Sequence, residues 1–181
     1  MIITGEGGIR LKKGISLLLF LGILLTNSYS YCKKPTITAQ SAILMDFESG
    51  RILLEYTPHI KLPMASTTKI MTGLIALENG NIEDNIIIKR ESVGIEGSSI
   101  YLYEGESINL EDLLYGLMLR SGNDAAVAIA DHIGDDIEQF IIMMNNKARS
   151  IGANNTNFMN PHGLHHDNHY TTAYDLALIT K

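Results

Sequence analysis

The sequence predicts a mixed α/β (α+β) domain, a helical subdomain set against an incomplete antiparallel sheet. Three observations predict it. Two apolar, strand-like runs, Ser41 to Asp46 and Arg51 to Tyr56, flank the turn signal Glu48-Ser49-Gly50 and read as a hairpin. Apolar residues at helical spacing dominate the middle of the chain. No further strand is evident after Ser107, although a lone hairpin cannot bury both of its faces. The expectation is a C-terminally truncated domain, with residues 39–181 forming its N-terminal part. A chain of 181 residues, 45% hydrophobic and 19% charged, is enough for one domain with a real core. A single Cys offers no internal disulfide, so the fold rests on that core.

Taken in order, the chain opens with a targeting segment. Arg10, Lys12 and Lys13 precede an apolar run from Ile15 to Leu25, and small residues follow at Ser28 and Ser30. Residues 1–30 therefore read as a signal peptide cut after Ser30, with an uncleaved membrane anchor as the alternative. Export, to an oxidising or extracellular setting, follows. Residues 31–38, with Lys33-Lys34-Pro35, read as a linker. The whole chain has 14 Lys and Arg against 20 Asp and Glu. Three of those bases and one of the acids lie in residues 1–30, so the remainder carries 11 against 19, a net charge of −8. That argues against nucleic acid or an anionic membrane face as the main partner.

After the hairpin, Pro58 and Pro63 bound a loop that delivers the chain to Ser66. Ile70, Met71, Leu74, Ile75 and Leu77 then recur as on a helix, stopped by Asn79-Gly80. Ile86-Ile87-Ile88 reads as a short strand. Gly94 to Ser99 is a loop, and Ile100-Tyr101-Leu102 and Ser107-Ile108 flank the turn Glu104-Gly105-Glu106. A helix carrying Leu110, Leu113, Leu114, Leu117 and Met118 is capped by Asn109 or Ser107. Arg120-Ser121-Gly122-Asn123 interrupts the pattern. A helix of small residues, Ala125, Ala126, Val127, Ile129 and Ala130, follows and suits close packing in the middle of the domain. Asp136 to Ile151 is a further amphipathic helix closed by Gly152. Thr171 to Thr180 begins a last one, capped by Thr171 or Thr172.

Three constellations bear on chemistry. Ser66 and Lys69 are spaced i, i+3, which puts both on one face of a helix with Ser66 at its positive end. That layout suits a serine nucleophile with a lysine base. The bland reading is an N-cap serine and a solvated lysine. Ser121-Gly122-Asn123 lies between two apolar helices, where its polar groups must be satisfied or face a cavity. The bland reading there is a turn in which Asn123 caps the next helix. His162, His165, His166 and His169 crowd the third stretch, but their spacing suits no common zinc layout, and Pro161 and Gly163 argue for a loop near the cavity mouth.

With these residues quoted, the chain resembles the bacterial serine-type D-Ala-D-Ala carboxypeptidases, the low-molecular-mass penicillin-binding proteins. Ser66-Thr67-Thr68-Lys69 matches their Ser-x-x-Lys motif, and Ser121-Gly122-Asn123 matches their Ser-x-Asn motif. Ala42 to Gly50, Gly97 to Tyr101, Leu114 to Ala130, Asn160 to Leu164 and Tyr170 to Asp175 also look like the family. The resemblance implies a β-lactamase/transpeptidase-like fold and a place in the bacterial cell envelope, at the outer face of the cytoplasmic membrane, with membrane contact only through an uncleaved signal or a missing C-terminal anchor. It implies removal of the terminal D-alanine from peptidoglycan stem peptides ending in D-Ala-D-Ala, through an acyl-enzyme on Ser66. Lys69 would be the proton acceptor, Ser121 the proton relay and Asn123 the substrate-binding residue. β-Lactam antibiotics would trap Ser66, and neither metal nor cofactor is implied. The family's third motif, Lys-Thr-Gly, occurs nowhere in this sequence. In the family its strand supplies the second oxyanion donor and the cation for the substrate carboxylate, so little or no turnover is expected of this chain. Three alternatives stand beside this reading. One is a class A β-lactamase-like hydrolase, for which Asp167 is the carboxylate that remains available. The others are a non-catalytic cell-envelope fragment and a metal protein built on the histidine cluster.

Overall fold

The hairpin forms where the sequence predicts it. In the computed structural model, which describes residues 35–181, strand β1 (Ala42–Met45) pairs antiparallel with β2 (Ile52–Tyr56). The signal peptide expected over residues 1–30 and the first part of the linker lie outside the described residues. Ala42 faces Tyr56 and Leu44 faces Leu54, and the register shifts between Leu44 and Met45. The turn is held by Asp46, whose carboxylate accepts the Ser49 N–H at 2.9 Å. The pair forms a two-stranded sheet. Leu44, Ile52, Leu53 and Tyr56 remain exposed on it.

A second two-stranded sheet pairs β3 (Asn85–Ile87) with β4 (Ser107–Asn109), Ile86 opposite Ile108. Ile100-Tyr101-Leu102, on the other side of the same turn, does not join it. The backbone N–H groups of Ile100 and Leu102 donate instead to the Asp124 carboxylate, and Tyr101 takes a left-handed φ of 64° that no strand accommodates.

Five α-helices complete the compact unit Ile37–Lys181: α1 (Thr68–Asn79), α2 (Leu110–Leu119), α3 (Asn123–Gly134), α4 (Ile137–Ser150) and α5 (Ala173–Thr180). Caps set three of their starts. Asn109 accepts from the Asp112 N–H at 2.7 Å, Asp136 from Gln139 at 2.7 Å and Thr172 from Asp175 at 3.0 Å. So Asn109 and Thr172 are the caps among the pairs of candidates. Helix α3 contacts α1, α2 and α4. Ala125, Ala126, Ala128 and Ala130 are buried there, because methyl side chains let the backbones approach closely. Phe140, Phe158, Met71, Leu113, Ile129 and Met144 fill the space around them. An isolated bridge between Leu62 and Thr171 stitches the approach to Ser66 to the C-terminal part of the chain, and a second, Asn157 with Tyr170, closes that part on itself. Among the described residues no helix is long and apolar enough to cross a membrane.

Candidate active site

Ser66 lies on a short 3₁₀ turn, Ala65–Thr67, and the α-helix proper begins two residues later at Thr68. Hydroxyls within the turn brace it locally. Thr67 Oγ1 donates to the Met64 carbonyl at 2.5 Å and Thr68 Oγ1 to the Ala65 carbonyl at 2.7 Å. Met64, 6% exposed, anchors it in the core. Ala65 is thereby held at a φ of 46°, left-handed backbone that is strained for a residue with a Cβ. The Ser66 side chain caps no helix. The N-cap of α1 is Thr67, without a side-chain cap, and Ser66 is left exposed with its Oγ facing Lys69.

Lys69 is not a solvated surface charge, being 2% exposed. Its Nζ donates to Asn123 Oδ1 at 2.7 Å and to the His162 carbonyl at 2.8 Å, and stands 3.5 Å from Ser66 Oγ. An ammonium has three protons, and these three acceptors match them. Burial lowers the Lys69 pKa to about 8. About a tenth of the amine is therefore neutral at pH 7, 3.5 Å from a hydroxyl.

Asn123 is the first residue of α3, but its side chain does not cap that helix. One end accepts from Lys69, and the other donates to the Glu96 carbonyl. Gly97 makes room for this, since a Cβ there would sit 2.8 Å from Asn123 Nδ2. Ser121, at a φ of 56°, lines one cleft of about 290 Å³ with Ser66, Thr67, Lys69, Ile70, Leu117 and Met118. Ser66, Lys69 and Ser121 thus meet at one cleft, and Asn123 stands behind Lys69.

The histidine stretch divides by burial. His165 and His166 are exposed, whereas His162 is half-buried and His169 is 4% exposed. Burial, and then the Lys69 charge, lower the His162 pKa to about 4. Burial, and then the neighbouring His162 and His166, lower that of His169 to about 4. Among the described residues no three His, Cys, Asp or Glu side chains are grouped to hold a metal. The loop packs against the Ser66 helix: the His162 carbonyl accepts from Lys69 Nζ at 2.8 Å and the Pro161 carbonyl from Thr72 Oγ1 at 2.6 Å. Sequence reasoning missed these carbonyl contacts, and it missed Asp124. The buried Asp124 carboxylate takes Ser99 Oγ at 2.6 Å and the N–H groups of Ile100, Leu102 and Ala125 at 3.0, 3.1 and 2.9 Å, fixing the 99–102 loop to the start of α3. A carboxylate directly after Ser121-Gly122-Asn123 was the available signal.

Comparison with known proteins gives a consistent result. A family model described as D-alanyl-D-alanine carboxypeptidase matches residues 29–181. D-alanyl-D-alanine carboxypeptidase DacF of Bacillus subtilis is 39% identical over 148 residues, covering 79% of this chain and 38% of the relative. The crystal structure of D-alanyl-D-alanine carboxypeptidase DacD from Francisella tularensis superposes with a TM-score of 0.78 at 36% identity, over 81% of this chain and 37% of that one. Penicillin binding protein 5 from Haemophilus influenzae superposes at 0.77 and 37% identity, over 81% of this chain and 45% of that one. The chain thus spans about two fifths of the length of the Bacillus subtilis and Francisella tularensis proteins.

Proposed function

The chain belongs to the D-alanyl-D-alanine carboxypeptidase family, and from that premise we propose that it carries the nucleophile half of a serine acyl-transfer site for peptidoglycan stem peptides. Ser66 Oγ attacks the carbonyl carbon between two terminal D-alanines while Lys69, neutral, takes its proton. The C–N bond then breaks. Ser121 passes the proton to the nitrogen of the leaving D-alanine, and Asn123 holds the substrate amide. Water cleaves the resulting ester, which restores the Ser66 hydroxyl and frees the shortened peptide. A β-lactam offers the same kind of carbonyl and stays attached as an ester. An exported chain, with its signal in residues 1–30, meets both outside the cytoplasmic membrane. These steps need no metal or cofactor in the roles they assign.

The observation that carries the reading is the buried Lys69 amine, 3.5 Å from Ser66 Oγ and with a pKa lowered to about 8. A lysine kept out of water and poised near physiological pH is costly to a fold and useful to a base. The test is labelled penicillin added to the purified chain and read by intact mass. A slow adduct is expected, absent in Ser66→Ala. No adduct on a chain shown to be folded would refute the assignment and favour a non-catalytic envelope protein.

A further inference from the structure

Ala65 precedes the nucleophile in a backbone conformation that an alanine does not adopt unaided. Something must hold it, and a hydrogen-bond chain from the histidine loop ends on its carbonyl. The Met159 N–H donates to His169 Nδ1 at 3.0 Å. That acceptor role places the ring proton on Nε2, which lies 2.8 Å from Thr68 Oγ1. The Thr68 hydroxyl in turn donates to the Ala65 carbonyl at 2.7 Å. His169 and Thr68 are 4% and 0% exposed, so the bond between them is shielded from water. Phe158 packs edge-on against the His169 ring, with centroids 5.9 Å apart, and fixes its orientation. The same loop presses on the Ala65 peptide from a second side, because a Cβ on Gly163 would lie 1.9 Å from the Ala65 oxygen.

We infer that His169 is a positioning residue for acyl transfer, acting through Thr68 and the Ala65 carbonyl to hold the left-handed turn that aims Ser66 at Lys69. It touches neither substrate nor reacting atoms. The inference rests on the reading of Ser66 as nucleophile. The neutral Nε2–H tautomer is required, since a proton on Nδ1 would face the Met159 N–H. Displacement of a reacting atom by about 1 Å can cost on the order of a hundredfold in rate. Loss of the chain should therefore slow the bond-forming step and leave recognition of the β-lactam unchanged.

The experiment uses Thr68→Val, which keeps the shape and removes the hydroxyl. It also uses His169→Phe, which removes both ring nitrogens, and His169→Gln, which keeps an acceptor and a donor. Penicillin acylation is followed across concentrations to separate the saturating rate from half-saturation, with thermal unfolding alongside. The expected result is a fall of at least about tenfold in the saturating rate for Thr68→Val and His169→Phe. Half-saturation should hold within about twofold, with partial rescue in His169→Gln. Folded Thr68→Val and His169→Phe chains acylating at the parent rate would overturn the inference. A parent that is never acylated would instead refute the Ser66 reading. Backbone NMR then decides positioning by itself: the HN–Hα coupling of Ala65 must change in both variants if the chain of bonds holds that turn, and an unchanged coupling overturns the inference.

Discussion

Raising the pH should switch the acylation of Ser66 on through the titration of Lys69. Burial puts the Lys69 pKa at about 8, against an ordinary lysine value of 10.5. The neutral base is then about 1% of the amine at pH 6, about 10% at pH 7 and about half at pH 8. The rate of penicillin acylation should climb about tenfold per pH unit up to pH 7.5 and level off above pH 9. The total rise is on the order of a hundredfold. Lys69→Met should lose about a hundredfold to ten-thousandfold at pH 8 and lose the pH dependence with it. The same shift makes a stability statement. Between pH 8 and 10.5 the unfolded chain still holds the proton that folded Lys69 has shed, so stability rises with pH across that window. For this buried amine, the lowering from 10.5 to about 8 corresponds to about 3 kcal/mol across that window. The assay is the saturating acylation rate from pH 6 to 10, with denaturant unfolding at the same points. A rate that is flat from pH 6 to 8, or still climbing tenfold per unit at pH 9.5, would refute the reasoning.

Three further outcomes are expected. Asn123→Asp places a carboxylate against Lys69 Nζ, favours the ammonium and should move the midpoint of the acylation profile up by about one to three units. Asp124→Ala strips the acceptor from four donors around the 99–102 loop and should cost about 3 kcal/mol in denaturant unfolding. Burial raises the Asp124 pKa, but the bonds from Ser99, Ile100, Leu102 and Ala125 outweigh it, and the net value falls below 3.8. The stability it contributes is thus present above the ordinary carboxylate range and lost as pH falls through that lowered value. Gly163→Ala, at a φ of 91° and 1.9 Å from the Ala65 oxygen, should destabilise the chain by about 1–3 kcal/mol or more. It should also slow adduct formation, both read on one sample by thermal melt and intact mass.

Much of the fold was legible because its elements are set by short-range patterns. The i, i+3, i+4 spacing of Leu110, Leu113, Leu114 and Leu117 marks α2 as a helix, and Asn109, Asp136 and Thr172 mark helix starts through bonds to the N–H three residues on. The alanine-rich α3 reads as central because only small residues tolerate such close packing. Long-range closure was not legible. Nothing near Leu62 says that it bridges to Thr171. Nothing in Ile100-Tyr101-Leu102 says that a carboxylate more than twenty positions away replaces a strand partner. The candidate site divides along the same line. Ser66, Lys69, Ser121 and Asn123 stand out as residue types in a pattern, whereas His162 contributes a backbone carbonyl, which every residue has.

The residues that hold the site are therefore the ones whose local preferences are overruled. Ala65 and Ser121 both carry left-handed backbone, and neither is a residue for which that conformation is comfortable. Left to local propensity, the stretch from Pro63 would run into α1, with Ser66 as an ordinary first-turn residue. The Thr67 and Thr68 hydroxyls, the His162 carbonyl and the His169 ring act against that preference, and each is paid for by core packing elsewhere: Met64 below the turn, and Phe158 beside the ring. Strain that persists needs over-determination by its surroundings. Here two segments about a hundred residues apart in sequence supply it. A serine and a lysine three residues apart are common. What distinguishes this pair is that the chain spends distant contacts on the peptide just before the serine and on the amine of the lysine, the two places where acyl transfer is sensitive to geometry.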